Sequence, residues 1–106
     1  SDVYKRQTKY LLLDEPLSAL DMRHGRDMMR HLKGVCAERG ISVVIVIHDV
    51  NTAAAYADRM VAMKDGYLAC SGTPPEVMRE DVLGEIFDVE VNVAELGGRL
   101  VAMPVA

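Results

Sequence analysis

The residues best equipped for chemistry are two adjacent acids, Asp14 and Glu15, standing directly behind the apolar run Tyr10 to Leu13 and directly before Pro16. A carboxylate pair at the end of a buried strand meets a specific demand of phosphoryl transfer. One acid can hold Mg2+, usually through water, while its neighbour orients the attacking water. The plain alternative is a pair of acids on a solvent-exposed strand end, and the dipeptide alone does not separate the two. His48 closes a second apolar run, Ile41 to Ile47, in the same way. If both runs lie in one sheet, its imidazole shares an edge with the acids and can donate a hydrogen bond to a phosphate oxygen. Its plain alternative is a histidine at a helix start. His24 and His31, with no carboxylate or cysteine at ligand spacing, read as part of a solvated face.

The elements that must position these groups follow from periodicity. YLLLD reads as a fully buried strand that Pro16 terminates, and polar groups just after such a strand face the crevice where open α/β sheets bind ligands. From Met22 to Arg39, apolar residues at Met22, Met29, Leu32 and Cys36, with Met28 and Val35 alongside, predict one helical stripe ended by Gly40. The β-branched run Ile41 to Ile47 predicts a second buried strand, so that strand, helix and strand form a parallel crossover. A short helix is expected from about Asn51 to Ala57. Strands Met60 to Lys64 and Tyr67 to Ser71 should pair around the two-residue turn Asp65-Gly66. Thr73 to Glu76, TPPE, has the order of a capping box with prolines in the first turn. A helix around Val82 to Phe87 and a hairpin of Glu90 to Ala94 with Arg99 to Met103 around Gly97-Gly98 complete the order.

Composition removes several function classes. With 106 residues, half of them hydrophobic, the chain suits one small domain and not two. The net charge of −4 and the lack of any long run of like charge argue against nucleic acid or an anionic membrane as partner. The longest apolar runs, such as Val43 to Ile47, fall far short of the roughly 18 residues of a spanning helix. Cys36 and Cys70 lack CxxC spacing and read as two buried thiols, and the seven methionines read mostly as core. Ser1 to Gln7, SDVYKRQ, is polar and aperiodic, so residues 1–8 read as a non-native scar or linker and residues 9–106 as the domain proper.

Taken together, YLLLDEPLSALD, a helix, and then SVVIVIHDVNTAAAYADRMVAMKDGYLACSGTPPEVM closely resemble the second half of an ABC-transporter ATPase subunit. Asp14-Glu15-Pro16 matches the Walker B acids, Ser18-Ala19-Leu20-Asp21 the D-loop, and His48-Asp49 the switch-histidine loop. The texture after His48 resembles ATPases of importers for iron-siderophore complexes, haem or cobalamin. The resemblance implies a partial P-loop NTPase fold of the α/β class, a parallel sheet with crossover helices followed by C-terminal β-hairpins and short helices. It implies ATP and Mg2+ as cofactors. Asp14 would serve Mg2+, Glu15 would be the catalytic base or water-positioning group, and His48 would contact the γ-phosphate. Asp21, with Ser18, would communicate across a head-to-tail dimer with a second ATPase subunit. The implied partners are an integral-membrane permease and, indirectly, a substrate-binding protein. The implied location is the cytoplasmic face of the membrane, held there through the permease.

The departures carry equal weight. No GxxxxGK[ST] loop, LSGGQ-like signature or intervening Gln loop occurs, so the chain alone is expected to bind ATP poorly and to be inactive. SDVYKRQ stands where the signature would fall, which favours truncation over divergence. In the fold that is resembled, the strand Val43 to Ile47 neighbours a P-loop strand that is not in the sequence. One edge is therefore expected to be open, and Met60 to Lys64 to keep only its hairpin mate. Two other readings compete with an importer subunit: a soluble ABC-type ATPase without a permease, and a non-enzymatic interaction module of the same fold.

Overall fold

The computed structural model describes residues 9–106, so the expected scar or linker at residues 1–8 lies outside the described residues. The described residues divide into two compact units, residues 9–48 and residues 49–106.

In the first unit, β1 (Lys9–Asp14) and β2 (Ile41–Val46) pair in parallel, in register from Lys9 opposite Ile41 to Asp14 opposite Val46. The connection is α1 (Met22–Arg39), which packs against β2. The helix starts where Asp21 caps it and stops at Gly40, whose left-handed φ of 64° lets its N–H reach back to the Cys36 carbonyl at 3.0 Å. Its covered stripe runs through Gly25 and Met29, both buried, with Met28, Leu32, Val35 and Cys36 half-buried. Met22, expected on that stripe, is 93% exposed. Met22 is the first residue of the helix and stands before the covered stripe, which begins at Gly25.

Both strands were expected to be buried on two faces, and the structure corrects this. In β2, Ile41, Val43 and Ile45 are half-buried while Ser42, Val44 and Val46 are exposed. In β1 only Leu13 is half-buried, and Tyr10 and Leu12 remain about 70% exposed. Burial on both faces needs cover on both. Among the described residues, one helix packs on the pair.

The second unit holds its own core of Met60, Val77, Met78, Leu83, Val91 and Ala102. Its elements are α2 (Val50–Tyr56), β3 (Met60–Lys64), β4 (Tyr67–Gly72), α3 (Pro74–Val77), α4 (Glu80–Phe87), β5 (Val91–Leu96) and β6 (Arg99–Pro104). β3 and β4 form a hairpin closed by Asp65 and Gly66, both at positive φ, 52° and 80°. That pair of angles is the type I′ turn, whose second position favours glycine. β5 and β6 close in the same way around Gly97-Gly98. The expected capping box at Thr73 forms, with the Thr73 N–H and hydroxyl both on Glu76 Oε1 at 3.0 and 2.8 Å. The backbone N–H of Thr73 is the main reason the Glu76 carboxyl is held below its ordinary range. Lys64 reaches from β3 to the end of α4, donating to the Glu85 carbonyl at 2.6 Å and to Asp88 at 2.8 Å. The Asp88 bond raises the Lys64 pKa above the usual ammonium value. Of the methionines, Met29, Met60 and Met78 are buried, whereas Met22, Met63 and Met103 are exposed, so fewer serve the core than periodicity suggested. Cys36 and Cys70 are half-buried free thiols.

The Asp21 cap has a pH signature. Its carboxylate accepts the His24 N–H at 2.9 Å and lies 2.7 Å from His24 Nδ1, an ion-pairing distance that places His24 opposite a carboxylate after all. These contacts, the backbone bond first, lower the Asp21 pKa. A lowered folded pKa means that the cap's stabilisation is complete above about pH 4 and is lost as pH falls through the folded value. The carboxyl carbon of Asp21, followed by NMR, should titrate at lower pH in the folded chain than in a peptide spanning residues 18–27. Equal midpoints would show that the cap is not formed.

Candidate functional site

The in-register pairing of β1 with β2 brings the three groups singled out in the sequence to one end of the sheet. Asp14 is the last residue of β1, opposite Val46, and the Glu15 N–H still bonds the Val46 carbonyl at 2.9 Å. At Glu15 the backbone turns into the left-handed region, φ 50°. For a non-glycine residue this conformation costs of order 1–3 kcal/mol and persists only where neighbours hold it. The neighbours are Val46 on one side and Ser18 on the other, whose N–H and hydroxyl both bond the Glu15 carbonyl, at 3.3 and 3.1 Å.

The turn aims the Glu15 carboxylate at His48. Glu15 Oε1 accepts the His48 backbone N–H at 3.1 Å and stands 3.2 Å from His48 Nε2. The Glu15 side chain is about two thirds covered, whereas the imidazole is 88% exposed. Glu15 Oε1 therefore accepts the His48 N–H and lies at ion-pairing distance from the ring, which projects into solvent. A proton acceptor lies beside a group that donates or accepts according to its tautomer. Acid–base work and the gripping of an anionic oxygen are both within reach of this pair.

Asp14 is exposed at the strand end, one residue from Glu15. Its carboxylate and that of Glu15 are hard oxygen donors of the kind Mg2+ takes, and that ion keeps several waters when a protein offers only one or two carboxylates. Among the described residues no group of three or more His, Cys, Asp or Glu side chains could hold a metal by itself. The acids thus fit an ion that shares its shell with water and substrate oxygens. Ser18 and Asp21 carry local structure, Ser18 holding the Glu15 turn and Asp21 capping α1. Sequence reading missed both duties. The signal was present for Asp21, an Asp three residues before the N–H it caps. Among the described residues, no helix is long and apolar enough to cross a membrane.

No protein-family model matches the chain. Individual relatives do. The chain is 39% identical over 101 residues to the petrobactin import ATP-binding protein YclP of Bacillus subtilis, covering 95% of this chain and 40% of that protein. It is 43% identical over 88 residues to the petrobactin import ATP-binding protein FatE of Bacillus anthracis, covering 83% of this chain and 35% of that protein. With the hemin import ATP-binding protein HmuV of Rhodopseudomonas palustris it shares 45% identity over 84 residues, 79% of this chain and 32% of the relative. The chain therefore spans no more than about two fifths of the length of these relatives. Among solved structures, an inward-facing metal-chelate type ABC transporter superposes at TM-score 0.76 over 92% of this chain and 41% of the other, at 22% identity, a likeness of fold. The cbiO1 protein of Clostridium perfringens, part of the ABC transporter complex cbiONQ, matches at TM-score 0.63 and 34% identity over 73% of this chain and 31% of the other. The α/β architecture with its strand-end acids and histidine, the shared fold and the sequence relatives agree, and this chain belongs to the ATP-binding proteins of ABC transporters, its relatives there including petrobactin and hemin import proteins.

Proposed function

We propose that this chain supplies the hydrolytic part of the ATP site in an ABC importer ATPase subunit, energising uptake of an iron-siderophore, haem or cobalamin-type solute. The observation that carries this reading is the meeting of Glu15 and His48, 3.2 Å apart, at the strand end that also bears Asp14. The names of the petrobactin and hemin import relatives support the class of solute, and cobalamin rests on the sequence resemblance alone. Those names also count against a soluble ATPase without a permease. The paired acid and histidine count against a purely structural module.

In this reading Asp14 holds Mg2+ through water, and the ion supplies charge neutralisation on the phosphates. Glu15 orients the attacking water and takes its proton. His48 donates to a γ-phosphate oxygen. Both tasks require that Glu15 Oε1 and His48 Nε2 turn from each other toward water and phosphate, so the contact in this structure is a resting arrangement. Asp21 and Ser18 shape the loop that would face a second ATPase subunit in a head-to-tail dimer. An integral-membrane permease, served by a substrate-binding protein, would hold the assembly at the cytoplasmic face of the membrane.

In the intact subunit, Glu15→Gln keeps the shape of the side chain and removes the base. Steady-state ATPase activity should fall by about 10²- to 10⁴-fold while ATP still binds, and rates within threefold of wild type would sink the assignment. His48→Ala should lower kcat with only a modest change in nucleotide affinity, since a donor to a transition-state oxygen contributes roughly 2.7 to 4 kcal/mol at the barrier and less in the ground state. An unchanged kcat with a raised KM would make His48 a plain binding residue. The 106-residue chain by itself, whose sequence contains no GxxxxGK[ST] loop, should show neither hydrolysis nor a Tm increase with Mg-ATP. A shift of several degrees would contradict that.

A further inference from the structure

We propose that the exposed side of α1 is a docking surface for an acidic helical segment of a partner protein, gripped by a stripe of four cations, Arg23, Arg26, Arg30 and Lys33. The stripe lies within one element of the first unit, so the inference goes beyond the ATPase reading and does not rest on it. Along the sequence these cations form no run, since spacings of three, four and three residues separate them. The helix brings them together. At about 3.6 residues per turn they fall within an arc of about 80° and span about 15 Å of helix axis. All four are exposed. The arc lies between the covered side, with Gly25 and Met29, and the side that carries the two acids of the helix, Asp27 and Glu38.

The stripe works against the stability of its own helix. Arg26 and Arg30 are four residues apart, and Arg23 with Arg26 and Arg30 with Lys33 are three apart, separations at which like charges destabilise a helix. Arg23 also stands in a first turn that holds no acid, where the helix dipole disfavours a cation. Among the described residues Arg26 pairs with its neighbour Asp27 at 3.1 Å, while Arg23, Arg30 and Lys33 make no ion pair. An anionic partner would relieve that repulsion. Its form follows from the surroundings of the stripe. The apolar side of α1 is occupied on β2, so the helix has no free apolar face to insert into a lipid surface. Asp27 and Glu38 flank the stripe and would be repelled by a broad anionic surface, whereas a narrow ridge of carboxylates meets the cations alone. Spacings of three, four and three are those of one helix face and read the same in both directions. Carboxylates at i, i+3, i+7 and i+10 of a second helix therefore match all four cations in either orientation. Three of the four are arginines, whose planar forks take carboxylates in bidentate pairs. Ala37 on the same arc, and Gly34 beside it, where an added Cβ would touch nothing within 4 Å, leave room for the second backbone.

The test measures binding of two labelled, alanine-rich peptides to the intact ATP-binding subunit by fluorescence anisotropy at low salt. One peptide carries Glu at i, i+3, i+7 and i+10, and the other has the same composition with its Glu residues spread around the helix. The aligned peptide should bind about tenfold more tightly than the dispersed one, and raising the salt should weaken it. Arg26→Gln together with Arg30→Gln should lower its affinity by about tenfold, with basal ATPase activity retained as the check of folding. Arg26→Glu together with Arg30→Glu should abolish binding of the Glu peptide and create binding of a peptide with Lys at the same positions, since a charge swap that restores binding identifies direct contact. Should the Glu pair not fold, the Gln pair and Lys33→Gln carry the test. Equal affinity for the two Glu peptides, affinity unaltered by the Gln pair, or no binding at low salt would overturn the proposal. Sedimentation with vesicles of equal parts phosphatidylcholine and phosphatidylserine tests the other anionic surface. Vesicle binding that the Gln pair abolishes, with no preference between the two Glu peptides, would overturn the proposal in favour of a membrane.

Discussion

A slip of one residue in the parallel pairing of Lys9–Asp14 with Ile41–Val46 would carry His48 about 3.3 Å along the strand direction and turn the residues behind β2 to the opposite face. The first unit depends on that register. It sets Asp14 opposite Val46, lets the Glu15 N–H extend the ladder by one bond, and leaves the Glu15 carboxylate beside the His48 N–H and imidazole. The left-handed turn at Glu15 is then the price of aiming a carboxylate sideways from a strand end. Ser18 holds that turn through the carbonyl of Glu15, so the loop between acid and helix supports the site before any substrate arrives.

Polar side chains do comparable work in the second unit, where short elements leave backbone groups unpaired. β5 and β6 form a two-stranded sheet with two edges, and at the Val93–Ala102 position each edge is met by a side chain, Glu80 on one and Asn51 on the other. Lys64 closes the C-terminal end of α4. An isolated hairpin is marginal in water. Here a small core around Leu83 and Val77, both 1% exposed, is joined to a hairpin on whose edges the Val93 N–H and both backbone groups of Ala102 are occupied by side chains.

The faces without cover have their own meaning. Tyr10, Leu12, Val44 and Val46 on the β1–β2 pair, and Val61, Met63, Tyr67 and Leu68 on the β3–β4 pair, are exposed, although their residue types are those of sheet interiors. Among the described residues each of the three sheets has two strands. The relatives run to more than twice the length of this chain. Strand side chains are covered only by a second layer packed on their face, and among the described residues β1 and β2 lack one on their second face, so the expected two-sided burial was not met.

Local chemistry made much of the architecture legible in the sequence. Gly40 ends a helix, Asp65-Gly66 and Gly97-Gly98 close tight turns between β-rich runs, and TPPE caps a helix by hydrogen bonds within four residues. Each of these signals acts over a few residues, so the sequence alone determined the order of elements, the parallel crossover and, through DEPLSALD and HDVN, the family. The tertiary structure decided the rest. Glu15 and His48 are 33 residues apart and Asn51 and Ala102 are 51 apart, and whether such pairs meet depends on strand register and helix placement that no short stretch encodes. Exposure is likewise a property of what lies opposite. Met22 and Tyr10 have the side chains of core residues and stand in solvent because burial requires a second surface, and the residue itself supplies only the first.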